Sequence, residues 1–98
     1  MDKLARIKRI SEMEDRFDKV TSILGELDKV ISEYEDVKDD LDSLKDYMGS
    51  GKWQQDYEAD EAGKVPADLK RGVLSEDGLY NLLNDADVIL GRAQEVFN

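Results

Sequence analysis

The stretch WQQDYEADEAG, residues 53–63, sets four carboxylates beside two large aromatic residues. Carboxylates grouped in this way could bind a divalent metal ion, act as a pair of catalytic acids, or form the solvated face of a helix. Trp53 and Tyr57 are four residues apart, so on a helix both rings share one face and could cover the end of a neighbouring helix. We favour the third interpretation, in which the aromatic pair anchors the segment and the carboxylates face water.

The alternation Asp56-x-Glu58-x-Asp60 has the oxygen spacing of a calcium-binding EF-hand loop. Such a loop also needs Gly at its sixth position for a sharp turn and Glu at its twelfth as a bidentate ligand. Those positions are Glu61 and Ala67, so the motif fails at both. On a helix, Asp56, Asp60 and Glu61 could still bind Mg²⁺ weakly, but we predict no metal site and no cofactor.

The residue types that most often carry catalysis are missing. The chain contains no histidine and no cysteine, which removes the usual general base and all thiolate chemistry. No serine has a histidine to activate it, and the sequence GSGK at residues 49–52 lacks the spacing of a phosphate-binding loop. Paired-carboxylate catalysis needs a cleft, and a 98-residue helical chain offers little depth for one. We predict that the protein is not an enzyme and has no catalytic residue.

Two adjacent cations, Lys70 and Arg71, precede the last predicted helix and could bind a phosphate or a carboxylate of a partner. The alternative is that they pair with nearby acidic residues such as Asp68, Glu76 or Asp77. We favour this second interpretation because those carboxylates already compete for the place of any anion.

The overall charge argues against direct binding to nucleic acid. The chain has 24 acidic and 14 basic residues, a formal charge of −10, and binding to DNA begins by neutralising phosphates with cations. An anionic membrane surface is disfavoured for the same reason. The first ten residues, MDKLARIKRI, do not resemble a signal peptide, and no stretch reaches membrane-spanning length. We therefore expect a cytoplasmic protein.

Apolar residues recur every three or four positions from Leu4 to Met48, which predicts one helix over about residues 3–48. Asp2 is a plausible N-cap, and Gly49 a plausible left-handed stop. Whether the internal Gly25 bends this helix is left open by the sequence.

Part of this pattern is a heptad repeat. Ile10, Phe17, Leu24 and Ile31 alternate with a second series of apolar residues at the spacing of a coiled coil. The stripe shifts at residues 31–37, where two steps of three follow each other, and Ile23 and Val30 widen it. This width suggests two neighbouring helices along part of the length.

Three shorter segments follow the glycine-containing break at residues 49–51. A second helix is predicted over about 52–62, closed by Gly63, and a turn segment over 64–74. The last helix is predicted over about 76–97, with Ser75 as its N-cap and Leu74 packed on Leu79. The candidate structural anchors of this half are Trp53, Tyr57, Pro66, Leu69, Gly72, Leu74, Ser75 and Leu79.

The expected fold is all-α, a single helical domain over residues 1–98. Its long N-terminal helix is followed by a short middle helix and an antiparallel C-terminal helix, as in an elongated, coiled-coil-like bundle. The run SGKWQQDYEADEAGKVPADLKRGVLSEDGLYNLL, together with the early RISEME at residues 9–14, resembles a family of small bacterial proteins known only as domain of unknown function 4298. The resemblance spans nearly the whole chain and implies a stand-alone helical protein with no assigned activity.

The size of the first helix indicates association. A helix of 45 residues is about 68 Å long, whereas a compact domain of this chain length has a radius of gyration of about 13 Å. Charge is also unevenly distributed, at net +3 over residues 1–11 and net −5 over residues 33–46. A charged partner could explain this, and so could an antiparallel copy of the same helix.

We therefore predict a protein–protein interaction module. It would be a homodimer, or a subunit that docks on another protein, with no direct binding to nucleic acid or membrane. The alternative is an acidic nucleic-acid mimic that binds a basic nucleic-acid-binding protein. The candidate interaction residues are Leu4, Ile7, Ile10, Met13, Phe17 and Val20.

Overall fold

The computed structural model describes residues 2–98, and every regular element in that range is helical. Helix α1 spans Asp2–Gly49, α2 spans Lys52–Glu61, a short 3-10 helix spans Gly72–Leu74, and α3 spans Gly78–Phe97. The predicted all-α class and the long N-terminal helix are confirmed. None of these helices combines the length and the apolar character that crossing a bilayer requires.

Helix α1 continues through Gly25 without a break, and Asp2, the predicted N-cap, already lies within the helix. The predicted left-handed stop at Gly49 is wrong. The amide of Ser50 still donates to the carbonyl of Asp46 (2.9 Å), which is the helical hydrogen-bond pattern. The left-handed residue is Gly51, with φ of 86°, and it lies directly before α2. A glycine is needed here because an L side chain is strained at this φ.

Helix α2 ends at the predicted glycine. Gly63 has φ of 73°, its amide donates to Asp60 (3.0 Å), and the next amide, that of Lys64, donates to Ala59 (2.9 Å). These two bonds form a Schellman motif, which satisfies the last carbonyls of the helix and reverses the chain. The following turn closes with the amide of Leu69 donating to the carbonyl of Pro66 (3.1 Å).

The start of α3 differs from the prediction. Ser75 does not cap the helix, since its hydroxyl donates to the carbonyl of Gly72 (2.8 Å) and its amide bonds to the same oxygen (3.2 Å). The serine therefore closes the 3-10 helix instead. Asp77 occupies the N-cap position without a side-chain cap, and α3 begins at Gly78.

The chain groups into two compact units, one ending at Lys38 and the other spanning Asp39–Asn98. The first unit is the N-terminal part of α1, and none of its described residues is buried. The second unit contains the two buried side chains of the described chain, Leu74 (8% exposed) and Leu79 (3% exposed). Further along α3 the apolar side chains are largely exposed, so the core is small.

Candidate functional site

Arg71 is the centre of a cluster that ties the loop after α2 to that helix. Its Nη1 binds the Asp60 carboxylate, its Nη2 donates to the carbonyl of Pro66, and its Nε donates to the carbonyl of Leu69 (3.3 Å). The Arg71 and Asp60 side chains are 31% and 19% exposed, so this ion pair is partly shielded from water. Arg71 thus joins the end of α2 to both ends of the Pro66 turn.

This arrangement favours the pairing interpretation of Arg71 over an anion-binding site. However, the partner is not one of the three nearby acids that the sequence suggested. It is Asp60, which lies eleven residues earlier in the chain. The turn at Pro66 and the reversal at Gly63 bring the two residues together, and the local sequence contains no direct signal for that contact.

The aromatic pair lies on one face of α2, as its spacing predicts. The rings of Trp53 and Tyr57 stack with centroids 5.2 Å apart and planes inclined by 19°. The Nε1 of Trp53 donates to the carbonyl of Val73 (2.8 Å), which fixes α2 to the 3-10 helix. Both residues are half-buried. The neighbouring carboxylates, with Glu61 as the largest influence, raise the pKa of Tyr57, since a negative charge disfavours the tyrosinate.

A second bond joins the last turn of α1 to α2. The hydroxyl of Tyr47 donates to the carboxylate of Asp56 (2.6 Å). Desolvation, this hydrogen bond and the negative charge of Asp56 together raise the pKa of Tyr47 to about 12. The hydroxyl is therefore a donor at neutral pH. Its acceptor, Asp56, is one of the carboxylates that the sequence analysis considered as a weak Mg²⁺ ligand.

Three of the four acidic residues of the opening stretch have hydrogen-bond partners. Asp56 accepts from Tyr47, Glu58 accepts from Gln54 (3.2 Å), and Asp60 binds Arg71. Within residues 2–98, no group of three or more acidic side chains is placed to hold a metal ion. Asp56 and Asp60 thus connect α2 to α1 and to the following loop, whereas Glu58 bonds within α2 and Glu61 is exposed.

A close approach of three residues fixes the entry to α3. A Cβ atom added to Gly78 would lie closer than 3.0 Å to the hydroxyl of Ser75 and 3.1 Å from the carbonyl of Gly72. The hydroxyl cannot move away without leaving the Gly72 carbonyl, to which it donates. Packing therefore favours glycine at position 78, and the sequence analysis did not identify this residue.

Two open grooves flank this region of the second unit. One, of about 330 Å³, is apolar and is lined by Leu44, Leu79 and Leu82 together with the 3-10 helix. The other, of about 440 Å³, lies between Tyr57 and Glu76 and includes the Arg71–Asp60 pair. The first groove is lined by glycines and apolar side chains, and in the second the guanidinium of Arg71 is already bound to Asp60.

The predicted anchors divide by the kind of contact they make. Leu74 and Leu79 form the core, and Trp53 is anchored through its indole hydrogen bond. Leu69 contributes through its backbone, because its side chain is 54% exposed.

The other candidate site is the apolar stripe of the first unit. Its six predicted interaction residues are all exposed, from 50% for Met13 to 74% for Leu4. The stripe continues along the same unit through Leu24 and Ile31 to Val37, which are exposed as well. We call the apolar residues from Ile7 to Val37 the α1 stripe. Soluble monomers rarely expose so long a contiguous apolar surface, which is typical of an association site.

The fold and these sites define a small all-helical protein whose long first helix exposes an apolar stripe. A family model described as "Domain of unknown function (DUF4298)" matches residues 10–95. Because the match covers most of the chain, the protein belongs to the DUF4298 family, as the resemblance predicted. Comparison with curated proteins found no match, and comparison with solved structures found none either.

Proposed function

We propose that this protein is a non-enzymatic protein–protein interaction module that associates with a second copy of itself through the α1 stripe. The observation that carries the proposal is the exposure of that stripe. Every large apolar side chain on it is exposed or half-buried, from Ile7 at one end to Val37 at the other.

The free energy available from burying the stripe is large. A fully buried Leu, Ile, Val, Phe or Met side chain contributes about 1.5–3 kcal/mol relative to an exposed one. Helices in proteins also depend on packing of an apolar face more than on intrinsic propensity. A partner that covers the stripe therefore stabilises the helix and the complex together.

A second copy of the chain is the partner that its charge favours. The basic start of α1 carries a net +3 over residues 1–11, while residues 33–46 of the same helix carry a net −5. In an antiparallel pair, the basic segment of each copy can therefore lie beside the acidic segment of the other, and no further molecule is needed to balance these charges. The anchored second unit, with Trp53 and Arg71, supplies a folded end to which the associating helix is attached.

Sedimentation equilibrium at micromolar concentration tests the proposal. We expect a mass twice the 11.1 kDa of the single chain. Val20→Glu places a charge in the middle of the stripe and should return the protein to a monomer. Ser22→Glu is the matched control, because it adds the same charge two residues away at an exposed position off the stripe, and it should remain dimeric.

A monomer of the wild-type chain across this concentration range would contradict self-association. The alternative function, an acidic nucleic-acid mimic, would then be favoured, because the net charge of −10 supports it independently of the stripe. That alternative predicts salt-sensitive binding to purified basic nucleic-acid-binding proteins, unchanged by Val20→Glu. It leaves the exposed apolar stripe without a role, which is why we favour the dimer.

A further inference from the structure

We infer that the two copies pair antiparallel in one specific register, in which residue i of one copy lies level with residue 44 − i of the other. This inference rests on the proposed self-association and adds its orientation and register. Two observations carry it: the spacing of apolar residues along the α1 stripe and the distribution of charge along α1.

The central series of the stripe has the same spacing in both directions. Its ten residues are separated by 3, 3, 4, 3, 4, 3, 4, 3 and 3 positions, and they are Ile7, Ile10, Met13, Phe17, Val20, Leu24, Leu27, Ile31, Tyr34 and Val37. Ile23 and Val30 lie beside this series and widen the stripe. This series is a palindrome centred on residue 22. The departures from a heptad, a pair of three-residue steps at each end, occur at mirrored places.

A two-fold symmetric antiparallel pair requires such a palindrome. In an isologous interface, if residue i of one copy contacts residue j of the other, then j contacts i. Apolar layers therefore meet along their whole length only when the spacing reads the same from either end. At the centre, Val20 lies level with Leu24 of the second copy and Phe17 lies level with Leu27.

The outer layers satisfy the same rule. Ile10 lies level with Tyr34 of the second copy, and Ile7 lies level with Val37. A shift of one heptad breaks this match at charged residues. In one direction Met13 lies level with Lys38 of the second copy, and in the other Ile31 lies level with Arg6. Leu4 lies beyond the last of these layers.

Charge decides between the two orientations. In the antiparallel register, residues 2–11, with net +3, lie level with residues 33–42 of the second copy, with net −5. A parallel pair would place the basic segments side by side and the acidic segments side by side. Since these segments are within about one Debye length, 8–10 Å, across a helix pair, the antiparallel arrangement is favoured.

Distances between spin labels test the register directly. The chain has no cysteine, so single cysteines label one position each. Lys8, Asp15, Ser22 and Lys29 are exposed and lie seven residues apart, on the helix face away from the stripe. Labels at Lys8→Cys, Asp15→Cys, Ser22→Cys and Lys29→Cys therefore share the same lateral offset. Each labelled dimer is first verified by sedimentation.

The expected axial separations between equivalent labels follow from the helical rise. They are about 42 Å at residue 8, about 21 Å at residues 15 and 29, and about zero at residue 22. Equal separations at residues 15 and 29 are the sharpest outcome, because among antiparallel registers they occur only when the symmetry axis is level with residue 22. A register shifted by one heptad changes each nonzero separation by about 10 Å. It lengthens the separation at one of residues 15 and 29 and shortens it at the other.

Three results would overturn the inference. Equal distances at all four positions indicate a parallel dimer, and a difference between residues 15 and 29 indicates another register. In both cases the proposed self-association survives. A monomeric mass of the unlabelled wild-type chain removes the proposed function and this inference with it.

Discussion

The guanidinium of Arg71 binds the carboxylate of Asp60, across eleven residues that include the reversal at Gly63 and the turn at Pro66. The same side chain donates to the carbonyls of Pro66 and Leu69. One cation thus organises a loop that has no buried side chain of its own between Ala62 and Arg71. The planar fork of arginine suits this role, since it directs several donors at once.

Replacing this arginine should destabilise the second unit. We expect Arg71→Met to lower the free energy of unfolding by about 1.5–3 kcal/mol, the usual range for hydrogen bonds to a charged group. Arg71→Lys should be nearly as destabilising as Arg71→Met, because a single ammonium group cannot reach all three acceptors that the guanidinium contacts. Urea unfolding followed by Trp53 fluorescence provides the measurement.

Lys70→Met is the matched control for Arg71→Met, as it removes the same charge from the adjacent exposed position. It should change the free energy of unfolding by less than about 0.5 kcal/mol. Equal losses for the two variants would mean that overall charge matters and that the Asp60 contact does not.

Alanine substitutions at two glycines of α3 should have opposite effects. Gly91→Ala meets no atom within 4 Å and should stabilise by about 0.5–1 kcal/mol, the normal gain for alanine in a helix. Gly78→Ala forces the Ser75 hydroxyl off the Gly72 carbonyl and should lose about 1 kcal/mol of hydrogen bonding. Thermal unfolding of both variants measures the difference, and equal stabilisation would show that Ser75 rotates freely.

Stability should fall at alkaline pH because of Tyr47. Its pKa is raised from 10.0 in the unfolded chain to about 12 in the folded one, so the folded state holds the proton more tightly. The contribution is complete below pH 10 and is lost as the pH rises towards 12. Tyr47→Phe should remove this contribution and flatten the decline over that window.

Tyr57 contributes with the same sign, since its pKa is also raised, chiefly by Glu61. A residual decline is therefore expected in Tyr47→Phe, and the double variant with Tyr57→Phe should reduce it further. Chemical unfolding at several pH values, with circular dichroism as the probe, gives the comparison. An identical slope in wild type and Tyr47→Phe would argue against the Asp56 contact.

The two units should respond differently to protein concentration. The single tryptophan, Trp53, lies in the second unit and reports its unfolding by fluorescence. Helical circular dichroism is dominated by α1, whose N-terminal part is proposed to depend on a second copy. We expect the dichroism midpoint to rise with concentration and the fluorescence midpoint to change little. Coincident, concentration-independent midpoints would count against association through the α1 stripe.

Much of the fold could be predicted from patterns that are local in sequence. The three- and four-residue spacing from Leu4 to Met48 predicted α1, and the glycine at residue 63 predicted the end of α2. The stacking of Trp53 on Tyr57 followed from their separation of four residues. Each of these features depends on backbone geometry within one or two helical turns, which the sequence specifies directly.

Two local predictions were wrong for a common reason. Ser75 had the residue type and position of an N-cap, and Gly49 those of a left-handed stop. In each case a different hydrogen bond forms instead. The Ser75 hydroxyl donates to the carbonyl of Gly72 and does not cap α3, and the amide of Ser50 makes a helical bond that extends α1 past Gly49. Caps differ by only about 1 kcal/mol, so such competition is close.

The sequence by itself determined the all-helical class, the length of α1, its apolar stripe and its opposed charges, because each is set by the order of residues along one helix. Only the tertiary structure decided that Arg71 binds Asp60, that Tyr47 binds Asp56 and that a side chain at Gly78 would crowd Ser75. The chain has 24 acidic residues, and many of them could pair with any given donor. Which pair forms depends on the path of the backbone through its turns, and a contact across such turns leaves no periodic pattern in the sequence.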